Sequence, residues 1–87
     1  MVKTMRDFES KVRELKRELD SMNNKGFLNE AGQRTLDAYN AILRTAPFYD
    51  NLKEFAASEK IQTALEEYKD CKELAHVRWF LEKELTK

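Results

Sequence analysis

Glu73 and His76, three positions apart, are the pair in this chain with the most specific chemical precedent. On an α-helix that spacing points both side chains the same way, as in di-iron carboxylate bundles, where two Glu-x-x-His pairs and two further glutamates surround the metals. The chain holds one histidine, so a complete centre would need a symmetric dimer, with Glu66, Glu67 or Asp70 as extra carboxylates. Helical geometry spreads those three acids over several directions. Glu-x-x-His pairs also arise by chance on charged helices, so His76 is read as a helix-face or interface residue, and no metal or other cofactor is expected.

Nucleophilic chemistry would need Cys71 or a serine beside a base. Cys71 and His76 are five positions apart on one helical stretch and point about 140° away from each other, so within one chain they do not meet. One cysteine cannot form an internal disulfide, and Cys71 is expected to be a reduced, buried thiol. Ser10, Ser21 and Ser58 read as a solvent-facing residue, a helix-end residue and a helix cap. Sixteen acidic residues spread over amphipathic helices produce many accidental carboxylate pairs, and none is singled out for acid–base work. With two glycines there is little material for a phosphate loop, and the chain is not expected to be an enzyme.

A basic ridge of Arg6, Arg13 and Arg17, with Lys16 nearby, is the candidate for phosphate contact. Residues 1–17 hold six basic and three acidic side chains, whereas residues 48–70 hold three basic and six acidic ones. The chain is therefore bipolar, and its sixteen basic residues balance its sixteen acidic ones. Such polarity suits protein–protein contact at least as well as nucleic acid. A nucleic-acid-associated dimeric regulator using those four residues stays as the alternative reading.

These side chains are positioned by helices. Met5, Phe8, Val12, Leu15, Leu19 and Met22 recur at three-then-four spacing, an apolar stripe about 100° wide with arginines on one flank and acids on the other. Thr4 followed by Asp7 caps its start, and Asn23-Asn24-Lys25-Gly26 ends it. Asn29 caps a second helix with Ala31, Thr35, Leu36, Tyr39, Ile42, Leu43 and Ala46 on one face, and Pro47 stops it. Phe48, Leu52, Phe55 and Ala56 mark a third, and a change of apolar phase at Ser58 starts a fourth. The expected helices cover residues 4–23, 29–45, 47–57 and 59–86. The expected fold is all-α: one small antiparallel bundle of three to four helices over residues 1–87, with a long C-terminal helix and Leu15, Leu19, Leu36, Tyr39, Ile42, Phe55, Leu65 and Tyr68 in the core.

The C-terminal helix is the unusual surface. Over its last turns Leu74, Val77, Trp79, Phe80, Leu81 and Leu85 point nearly all the way round, and a helix apolar on every side needs cover on more than one. Two readings stay open. Either this helix is central, with Trp79 and Phe80 as ordinary core, or Leu74, Val77, Arg78, Trp79, Phe80, Leu81 and Leu85 form a contact surface for another protein or a second copy of the chain. No apolar run resembles a signal peptide or a bilayer span, so a cytoplasmic location without membrane contact is expected. The function expected is a non-enzymatic protein–protein interaction module, such as a small inhibitor, adaptor or regulatory protein of a phage or mobile element.

Overall fold

The computed structural model describes residues 4–86, and these form five α-helices and no strand. They are α1 (Met5–Asn24), α2 (Glu30–Thr45), α3 (Leu52–Ala57), α4 (Glu59–Glu67) and α5 (Ala75–Leu85), with 3-10 turns at Ala46–Phe48 and Lys72–Leu74. Side chains with a short oxygen arm start four of the helices by accepting from a backbone N–H left free in the first turn. Thr4 accepts from Asp7, Asn29 from Gly32, Asn51 from Glu54 and Ser58 from Ile61. Gly26, at φ 75°, takes the left-handed conformation that closes α1 without a Cβ clash.

A five-residue connection folds α2 back on α1 as an antiparallel hairpin, tied across by Lys16 Nζ donating to Asn40 Oδ1 at 2.9 Å. The remaining elements pack against the open end of that hairpin. Phe8, Ile42, Phe55, Ile61, Leu74, Val77 and Leu81 are fully buried, so every helix supplies at least one core side chain. Phe8 and Phe55 meet edge to face with ring centroids 5.4 Å apart, joining α1 to α3 at the centre.

Along α1 the apolar stripe is chemically uniform but its burial is not. Met5, Phe8 and Val12 are buried, Leu15 and Leu19 are half-buried, and Met22 is 37% exposed. A helix of 20 residues is about 30 Å long, and burial falls off along it toward the connection to α2. Phe27, in the connection at that end, is 73% exposed. Of the eight expected core residues, Leu36, Tyr39, Ile42 and Phe55 are buried, and Leu15, Leu19, Leu65 and Tyr68 are half-buried against the core.

Two element boundaries differ from expectation. The third helix begins at Leu52 rather than at residue 47, because Pro47 sits in a 3-10 turn whose end at Tyr49 is extended. Phe48 is therefore not on a helical core face; it is 73% exposed, with Lys60 Nζ 4.5 Å above its ring. The single helix expected over 59–86 is two helices, α4 of nine residues and α5 of eleven, separated by a turn at Tyr68–Cys71 and the second 3-10 turn. On one straight helix, at about 100° per residue, Leu74, Val77 and Leu81 would point about 180° away from Ile61, Leu65 and Tyr68. Both sets can face one core only if the chain turns between them.

The burial gradient along α1 makes a stability prediction. Phe8→Ala should cost about 3–5 kcal/mol and Met22→Ala under about 0.5 kcal/mol in denaturant unfolding, although the two residues belong to one sequence stripe.

Candidate functional site

The turn that separates α4 from α5 is held from outside by Arg34 on α2. Its Nε donates to Asp70 Oδ2 at 2.7 Å and its Nη2 to Asp70 Oδ1 at 3.0 Å, a forked pairing that fits guanidinium to carboxylate. The same Nη2 donates to the carbonyl of Glu67 at 2.8 Å, in the last turn of α4, and the guanidinium lies 4.9 Å from the centre of the Tyr68 ring. Arg34 thus contacts three of the four residues from 67 to 70. Sequence reasoning did not single it out, and no local signal could have done so, since its partners lie 33 to 36 positions away.

Beneath this clamp the chain is tied inward. The Tyr39 hydroxyl donates to the Glu73 carbonyl at 3.3 Å, and the Thr35 hydroxyl reaches the Glu73 carboxylate at 3.4 Å. Burial raises the Tyr39 phenol above its ordinary pKa, and the negative charge of Glu73 adds to the rise. Cys71 is a buried free thiol, as expected. His76 is exposed, and Glu73 is engaged with Thr35. Among the described residues no group of three or more His, Cys, Asp or Glu side chains is placed to hold a metal ion.

The seven residues expected as one contact surface all follow the turn, and they are divided between the inward and outward sides of the C-terminal helical stretch. Leu74, Val77 and Leu81 face inward and are fully buried, which corrects their assignment to a partner-binding face. They fill the core because the turn aims that side of α5 at the bundle. Arg78 is also used within the chain: its Nη2 donates to the Leu65 carbonyl at 2.8 Å, near the C-terminal end of α4, and its Nε is buried without a hydrogen-bond partner. Phe80 is half-buried, Leu85 is 42% exposed and Trp79 is 52% exposed.

Trp79 is exposed to solvent but touches two neighbours. Its ring centroid is 5.3 Å from that of Phe80, and Lys83 Nζ lies 4.3 Å over the indole, one turn further along α5. Leu85 lies on another flank of α5, about 120° round from Trp79, where with Leu65, Leu81 and Arg78 it borders a cleft of about 230 Å³ between α4 and α5. That volume falls below the roughly 300–1,000 Å³ usual for small-molecule sites. Two larger depressions along α4, of about 580 and 440 Å³, are wide open to solvent, so an aromatic surface contact is favoured over an enclosed ligand pocket.

The basic ridge is also divided. Arg6, Arg13 and Arg17 are exposed on one side of α1, but Arg13 is bonded to Glu9 at 3.2 Å. Lys16 does not join them; it turns toward α2, with Asn40 at 2.9 Å and Asp20 at 3.2 Å. Among the described residues no helix is long and apolar enough to cross a membrane. No family model, curated protein or solved structure matches this chain.

The Arg34 clamp has a defined acid limb. The hydrogen bond from Arg34, and then a backbone N–H, hold the Asp70 carboxyl below its ordinary pKa. Arg34 is itself shifted up by Asp70 and stays charged. A carboxyl whose folded pKa is depressed stabilises the fold fully above its unfolded value of about 3.9, and that contribution is lost as pH falls through the folded value. Asp70→Asn should therefore flatten the fall of the melting temperature between about pH 5 and 2, and leave its shape above pH 5 unchanged.

Proposed function

We propose that this chain is a non-enzymatic protein–protein interaction module, a small inhibitor, adaptor or regulatory protein of the cytoplasm that works by covering a surface of its partner. One observation carries the reading: the chain's single tryptophan is 52% exposed on α5, although Val77 and Leu81 on the same helix and Leu74 just before it are buried completely. Leaving an indole in water forfeits the apolar burial it could contribute to a small core. Tryptophan is among the residues most enriched at the energetic centres of interfaces.

The arrangement around Trp79 supports the same reading. Phe80 on one side and Lys83 above restrict the indole before any partner arrives, and side-chain freedom already lost need not be lost on binding. Trp79 and Phe80 would enter an apolar groove on the partner, with Lys83 and His76 toward the rim. Leu85 extends the contact only if the partner also reaches round to the α4–α5 cleft.

The alternative of nucleic-acid binding draws on Arg6 and Arg17, the two exposed ridge residues that have no intramolecular pair among the described residues. It loses ground because Arg13 is held by Glu9 and Lys16 by α2, which among the described residues leaves few free cations on that face for a strong counterion-driven interaction. The two readings differ in salt dependence, since phosphate contacts release counterions and an aromatic contact does not.

The test is retrieval of a partner by tagged wild-type chain, followed by measured affinity for the Trp79→Ala variant. Trp79→Ala should keep its circular dichroism and melting temperature but weaken partner binding by at least about 2 kcal/mol, with little change from low to high salt. Unchanged affinity in Trp79→Ala together with steep salt dependence and loss of binding in Arg6→Ala/Arg17→Ala would overturn the reading in favour of nucleic acid.

A further inference from the structure

The turn between α4 and α5 is built from residues that are free to be helical. From Tyr68 to Glu73 there is no glycine or proline, and none of these residues has a positive φ. Tyr68 is at φ −107°, ψ 28° and Cys71 at φ −83°, ψ 104°, so rotation chiefly about the ψ angles would merge the two helices and restore the backbone hydrogen bonds that the turn interrupts. Two other breaks carry a helix-disfavouring residue, Gly26 after α1 and Pro47 after α2, whereas the break at Ser58 between α3 and α4, like this one, carries neither glycine nor proline.

A merged helix would have two apolar sides. Leu74, Val77 and Leu81 would lie about 180° from Ile61 and Leu65, on the side facing away from the chain's own core. A surface shaped to receive them exists on another copy whose own α5 has also left. Trp79 would fall on the same side as Ile61, about 16 Å beyond Tyr68 along the axis. Thr45 lines a pocket with Glu59 and Thr63, while Arg34 reaches Glu67 and Asp70, so α4 runs antiparallel to α2 and points toward the hairpin end where Met22 and Phe27 are exposed. Trp79 would thus be carried toward the end of the bundle where Met22 and Phe27, like Trp79 itself, are left in water in the monomer.

We infer that two copies of this chain can exchange α5, the turn at residues 68–74 opening into continuous helix so that each α5 docks on the partner copy's α3 as it docks on its own in the monomer. Exchange keeps the same Leu74, Val77 and Leu81 packing in both states, adds burial of Trp79, and requires a closed two-fold dimer. The Arg34 clamp opposes it, because its bonds to Glu67 and Asp70 exist only while the turn is closed. The exchange needs no foreign partner and stands apart from the function proposed above.

Light scattering during size-exclusion chromatography over a concentration series, with Trp79 fluorescence recorded on each species, tests the exchange. Arg34→Ala and Asp70→Ala should each raise the dimer association constant about tenfold, since two clamps are lost per dimer, and the dimer's Trp79 emission should lie to the blue of the monomer's. Lys72→Pro is the control: proline is tolerated at the first position of the 3-10 turn and suits the extended Cys71 before it, but it bars a continuous helix. Lys72→Pro, alone or combined with Arg34→Ala, should stay monomeric with exposed Trp79 emission. Failure of both clamp variants to dimerise would overturn the exchange, and so would a dimer that forms equally well with Lys72→Pro.

Discussion

Two apolar faces that one straight helix could not bury together set the course of the C-terminal third of this chain. Ile61 on α4, Leu74 in the 3-10 turn and Val77 and Leu81 on α5 are all buried in one core, yet at helical spacing Ile61 and the other three belong to opposite sides. The turn at residues 68–71 reconciles them. Once α5 is folded back, it lies on α3, Leu74, Val77 and Leu81 join Phe8 and Phe55 at the centre, and Trp79 is carried to the outside. The core and the candidate contact surface therefore follow from one change of direction.

That change of direction is stabilised chiefly by burial. Three large aliphatic side chains fully removed from water outweigh an exposed ion pair, even a forked one, because water screens the charges of Arg34 and Asp70. The clamp selects among ways of closing the turn. Its bonds to Asp70 and to the Glu67 carbonyl, with its place over Tyr68, are compatible with one path of the backbone. Arg78 works similarly from α5, using the carbonyl of Leu65 that the end of α4 leaves without a helical partner.

The surface reflects how little core a chain of this length can make. Burial along α1 falls off toward its connection with α2, which leaves Met22 and Phe27 in water. Exposure of single apolar side chains beside a chain connection needs no functional explanation. Trp79 is different: it sits on a helix whose opposite side is fully buried, and it touches Phe80 and Lys83. A side chain that is both exposed and held in place is better suited to recognition than one merely left uncovered.

By itself the sequence determined the helical class, the caps at Thr4, Asn29 and Ser58, the stops at Gly26 and Pro47, and the inward faces of α1 and α2, because these depend on residues within one or two turns of each other. It also carried the change of apolar side between Tyr68 and Leu74, which looked like a helix apolar all round because nothing local marked a turn. Only the tertiary structure decided that the helix breaks there, that Arg34 holds the break from more than thirty residues away, and that Leu74, Val77 and Leu81 belong to the core while Trp79 does not. The physical reason is one of range. Capping and periodicity act within a few residues, whereas the side of a helix that is buried depends on which distant elements arrive to cover it, and at Tyr68–Cys71 the gain from that cover exceeded the local preference to continue the helix.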